Sequence, residues 1–115
     1  MTVFRRGDVV LVAFPFTDLT TTKMRPALIV SSDVFNHKNS DVIVVAITSQ
    51  LSRRISDYHY LLSSQEQSLA GLPKPSMIKL GKIVTLDQRL IRRKLGRVPD
   101  APLALVTMEL HKLLQ

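Results

Sequence analysis

Apolar residues in this chain come in short runs until the last dozen or so positions, where they recur at helical spacing. Asp8-Val9-Val10-Leu11-Val12-Ala13-Phe14 follows Gly7 and is stopped by Pro15, which makes a β-branched-rich run of strand length. A second run from Ala27 to Ser31 and a third from Asp41 to Thr48 also read as strands. The first and third are apolar at nearly every position, which predicts cover on both faces, as in a closed barrel backed by a helix or by a dimer partner. Ser31, Ser32 and Asp33 offer helix-capping side chains and predict a short helical turn through Phe35.

The remaining segments fill in the outline. Pro15 to Lys23 holds Thr17, Asp18, Thr20, Thr21 and Thr22, lacks helical periodicity and glycine, and predicts a surface loop. Tyr58 to Leu62 predicts a half-buried strand, and Ser76 to Leu86 one or two strand-like pieces interrupted by Gly81. At the end, Asp100 reads as an N-cap, Pro102 as a first-turn residue, and Leu103, Val106, Leu110 and Leu113 as one helical stripe. Leu105, Met108 and Leu114 widen that stripe and predict cover by a neighbouring subunit or a partner. Strands first and a helix last, with no repeat or linker, predict a single α+β, mainly β domain over residues 1–115, built on a small antiparallel barrel.

Composition narrows the function. The chain of 115 residues has no cysteine, which excludes a disulfide framework, a zinc-thiolate site and a thiol nucleophile. Met1 to Arg6 has no apolar run behind its charges and the longest apolar runs are strand-sized, so the expected location is the cytosol. His37, His59 and His111 are scattered, and Asp8 with Asp87 makes no ligand cluster, so neither a metal nor a cofactor is expected. Sixteen lysines and arginines stand against nine acids, a net +7. Between Lys74 and Arg97 lie eight bases and one acid, Asp87, so that segment alone carries a charge equal to the total. A surface of this kind favours a polyanion, either nucleic acid or an acidic protein.

The candidate chemistry comes from strand register. If the second and third strands pair antiparallel with Leu28 opposite Val45, Arg25 falls beside Thr48 at one rim of the sheet. Pro26 restricts Arg25 to extended geometry and so presents it on a stiffened backbone. Either residue alone is ordinary, an ion-pairing arginine and a threonine suited to a strand. Together they offer a planar cation for phosphate oxygens and a hydroxyl donor. No general base stands out: His59 is of the right type but sits in a strand-like stretch. Phe16 is the best-placed stacking aromatic, Phe14 and Phe35 read as core, and Arg53 and Arg54 could follow a phosphate backbone.

Four blocks, Arg6 to Val12, Arg25 to Ser31, Val45 to Gln50 and Thr85 to Leu90, resemble in order and spacing the MazF/PemK toxin family, across essentially the whole chain. The resemblance implies a dimeric SH3-like barrel, a metal-independent endoribonuclease acting on single-stranded RNA, and inhibition by an acidic antitoxin peptide. It puts the family's catalytic arginine and threonine on Arg25 and Thr48. Gly7, Asp8, Pro26, Thr85 and Asp87 match motif positions of structural character. Phe16, Thr20, Thr21, Lys23, Gln50, Arg53, Arg54 and Lys79 are the expected RNA contacts. Two other classes share the barrel: a non-catalytic gyrase poison of the CcdB type, which depends on a tryptophan-bearing tail that this chain lacks, and a barrel that only binds nucleic acid or protein.

Overall fold

The computed structural model describes residues 4–13, 23–51 and 58–115. Its elements are β1 (Asp8–Ala13), β2 (Met24–Ile29), α1 (Asp33–Lys38), β3 (Asp41–Thr48), β4 (His59–Leu61), α2 (Ser64–Leu69), β5 (Met77–Asp87), β6 (Ile91–Arg97) and α3 (Asp100–Leu113). A single 3-10 turn, Gln88–Leu90, joins β5 to β6. The strands form one antiparallel sheet in the order β4-β5-β3-β2-β1-β6.

Unbroken apolar runs at the centre of the sheet have the consequence the pattern predicted. Alternate residues of β1, β2 and β3 enter different cores. Val9, Leu28, Val45 and Ile47 join Ile78, Leu72 and the α3 residues Leu103, Val106 and Leu110 on one face. Val10, Val12, Ala27, Ile29, Val42, Val44 and Ala46 form the second core, with Phe4, Val84 and Ile91 packed against it. Each such side chain removed from water is worth about 1.5–3 kcal/mol, which is why central strands can be apolar throughout.

Several expectations need correction. Among the described residues the sheet is barrel-like without closing its hydrogen-bonded ring: β4 and β6 are its two edges. The gap is bridged by close backbone packing of the turn after α2 against β6, where Gly71, at φ +72°, faces the Leu95 carbonyl and Gly96 faces the Leu69 carbonyl with no room for a Cβ. The second strand begins at Met24 rather than Ala27, since residues 24–28 pair with β1, while the ladder to β3 starts at Ala27, just after the proline that cannot donate. Asp100 is not the α3 cap: Pro99 holds that position without a side-chain bond, and Asp100 is the first helical residue, 3.6 Å from Arg97. Phe35 is half-buried, and the residue that α1 seals is Asn36, tied to Ser31 and to Gln88. Phe14 lies outside the described residues.

Two elements were not anticipated. Strand β6 is the basic stretch Ile91–Arg97, an edge strand whose exposed charges protect it from further pairing. Helix α2 carries a reciprocal capping box, with Ser63 Oγ accepting from Glu66 N at 3.1 Å and Glu66 accepting from Ser63 N at 3.0 Å. Among the described residues no helix is long and apolar enough to cross a membrane.

Candidate active site

Strand register decides where the candidate pair falls. The ladder between β2 and β3 runs Ala27 to Ala46, Leu28 to Val45 and Ile29 to Val44. Arg25 lies two residues before it begins on β2 and Thr48 two residues beyond it on β3, so both stand at the same end of the sheet. Both are half-buried and both line a cleft of about 700 Å³. Pro26 pairs with Leu11 and holds the strand directly behind Arg25. Thr48 Oγ1 accepts a hydrogen bond from Gln50 N at 3.1 Å, which orients the oxygen and leaves its own hydrogen available to a ligand.

Charge around the cleft is one-sided. Among the described residues its wall carries Arg25, Lys74, Lys79, Lys82 and Arg93 and no acid. The floor is aliphatic, with Leu11, Pro26, Ile47, Leu72 and Leu95, and among the described residues it has no aromatic side chain. The cations outside the cleft mostly serve the fold. Lys94 and Arg97 meet the buried Asp8 at 3.2 and 3.3 Å, and Arg89 pairs with Asp87 at 3.0 Å. Lys74, Lys79 and Arg93 make no such bond among the described residues. The basic segment is thus divided between cations that hold strands together and cations that face an open cleft.

The motif residues have visible work. Gly7, at φ +97°, donates to Ile29 O and accepts from Val98 N, and a Cβ there would come within 2.8 Å of Leu103. Asp8, 2% exposed, also accepts from Arg5 N at 2.9 Å. Thr85 is exposed on β5 opposite Ile43. Asp87 caps the 3-10 turn by accepting from Arg89 N, and the Arg89 guanidinium bonded to it holds its carboxyl below the usual range and raises its own proton affinity in return. Gln88 donates to Asn36 O and Asn39 O, which fastens α1 to the sheet. Tyr60 holds its proton more tightly than usual through burial, reinforced by Glu66.

Of the expected RNA contacts, Gln50 and Lys79 line the cleft, while Lys23 is exposed at the start of β2 and is not among the lining residues. Phe16, Thr20, Thr21, Arg53 and Arg54 lie outside the described residues. His59 is paired across the strands with Lys79 and is half-buried. The site also draws on residues that sequence reasoning did not single out: Lys74, Lys82, Arg93 and the Gly71-Leu72-Pro73 turn. Clustering of bases between Lys74 and Arg97 was the available signal, but nothing in the spacing says which of them turn toward the cleft.

A small antiparallel sheet with one terminal helix and a cationic cleft at the strand ends, acid-free among the described residues, defines a domain class suited to gripping polyanions. Residues 5–114 match PemK-like, MazF-like toxins of type II toxin-antitoxin systems, and the chain belongs to that family. Its fold is that of MazF from Deinococcus radiodurans, with TM-score 0.78 and 22% identity over 99% of this chain and 98% of the other. An endoribonuclease from a mycobacterial species is similarly close, at TM-score 0.76 and 24% identity over 99% and 93% of the two chains. A mycobacterial endoribonuclease in complex with its cognate antitoxin also aligns, at TM-score 0.76 and 22% identity over 96% and 94%.

Proposed function

We propose that this chain is the endoribonuclease toxin of a toxin-antitoxin pair, cutting single-stranded RNA with Arg25 and Thr48 and without a divalent ion. The observation that carries the reading is that both residues line one cleft whose described wall has four further cations and no acid. Among the described residues the cleft offers no carboxylate to a magnesium ion, and its own cations supply the positive charge that such an ion would bring. RNA offers an internal nucleophile, the ribose 2′-hydroxyl, which attacks the adjacent phosphorus as the 5′-oxygen of the next nucleotide leaves, giving a 2′,3′-cyclic phosphate and a 5′-hydroxyl. The phosphorane formed on the way carries extra negative charge on its nonbridging oxygens. Arginine's planar fork matches two of those oxygens, and the Thr48 hydroxyl donates to one of them.

Phosphates on either side of the cut meet Lys74, Lys79 and Lys82, with Gln50 at the rim. The same one-sided charge suits an acidic antitoxin segment, which would silence the toxin by occupying the cleft. Family membership supports that partner, a homodimer and a cytoplasmic setting.

Incubation with a mixed single-stranded RNA pool in excess chelator tests the reading. Cleavage ending in cyclic phosphates is expected, and Arg25→Ala should keep the circular dichroism of the parent while losing about 10²- to 10³-fold in rate. Cleavage that appears only on adding magnesium would overturn metal independence. Binding without cleavage under any condition would leave a nucleic-acid-binding barrel.

A further inference from the structure

Arg93 differs from its neighbours on β6. Lys94 and Arg97 are held by Asp8, whereas Arg93 makes no hydrogen bond or ion pair among the described residues and lines the cleft. Across the ladders it faces apolar residues: Arg93 pairs with Leu11, and Leu11 pairs with Pro26. A cation beside an aliphatic shelf suits a ligand with a flat apolar face and acceptors along one edge, and a nucleobase is such a ligand. The paired donors of arginine fit the O6 and N7 of guanine, and single-stranded RNA leaves those edges open. Arg25 and Arg93 line the same cleft from strands two spacings apart, on the order of 10 Å, so a base at Arg93 belongs to a nucleotide near the phosphate at Arg25.

We infer that Arg93 reads a guanine close to the cut, seated on the shelf made by Leu11 and Pro26. The inference rests on RNA being the occupant of the cleft. It explains how the described lining, which has no aromatic side chain, can still select a base: the aliphatic floor takes the ring face and the guanidinium takes the edge.

The test uses heptanucleotides with 2′-O-methyl sugars throughout, which bind but cannot be cut. Each carries one guanosine at a different position in a uridine background, with adenosine and 7-deazaguanosine versions alongside, and affinity is read by fluorescence anisotropy. Guanosine at one position should tighten binding about 5- to 100-fold over adenosine, and removal of N7 should erase most of that gain. Both Arg93→Gln and Arg93→Lys should abolish the preference, the second because it keeps the charge but loses the fork. Three results overturn the inference: no guanosine preference in the parent, a preference that survives in Arg93→Lys, or an Arg93→Gln variant weakened equally on all sequences. Because no arm requires cleavage, a protein that selects guanosine yet leaves unmodified RNA intact would overturn the ribonuclease reading alone.

Discussion

Asp8 shows what a single side chain contributes here. Its carboxylate is almost sealed and gathers one backbone N–H and two cations from β6. Asp8→Ala leaves those cations beside a hole, so a loss of about 2 kcal/mol in urea unfolding is expected, toward the low end for a broken buried pair because Lys94 and Arg97 remain partly in water. Asp87 is a different case, exposed but chemically biased. A carboxylate whose folded pKa lies below its unfolded value stabilises fully above the unfolded pKa and loses that contribution as pH falls through the folded one. The unfolding midpoints of the parent and Asp87→Asn should therefore differ at pH 6 and converge on acidification, and parallel curves down to pH 2 would contradict the assignment. Both residues were singled out from sequence, yet their partners were not, because Asp8 meets β6 from the far end of the chain.

Elements differ in how plainly they can be read. Strands β1 and β3 are legible because nearly every position is apolar, and α3 because Leu103, Val106 and Leu110 recur with helical period. Strand β6 hides because an edge strand needs only one apolar side, and Arg92, Arg93 and Lys94 make it look like a loop. Helix α2 has no buried residue to announce it, and its only advance signal is the spacing of Ser63 and Glu66. The register of β2 against β3 was legible, because matching the ends of two apolar runs leaves little freedom. Where α2 meets β6, Gly96→Ala should cost about 1–3 kcal/mol by forcing a methyl onto the Leu69 carbonyl, measurable as a lower midpoint in thermal unfolding.

At the scale of the whole molecule, the net charge is less informative than its division. With Arg93 assigned to a base, the other four cations around the cleft predict that affinity for single-stranded RNA falls with salt, with a log–log slope of at most about −2.8 if all four meet phosphates. Lys79→Ala should reduce that slope by about 0.7, and an unchanged slope would remove Lys79 from the contact surface. Sequence could count these charges but could not sort them, since direction along β5 depends on the register break between its pairings with Val45 and Ala46.

The contact between Gly71 and Gly96 also bears on how the cleft accommodates a guest. Among the described residues no backbone hydrogen bond crosses from the turn after α2 to β6; the join is close backbone packing, with Ala70, Leu72 and Leu95 in the same apolar core. Such a seam is held by packing alone, and its closeness depends on both glycines keeping bare backbone at the contact, beside a turn whose residues 71–74 line the cleft. Amide protons of the 70–74 turn should then report occupancy by slowed exchange, even though that turn lies outside the sheet itself.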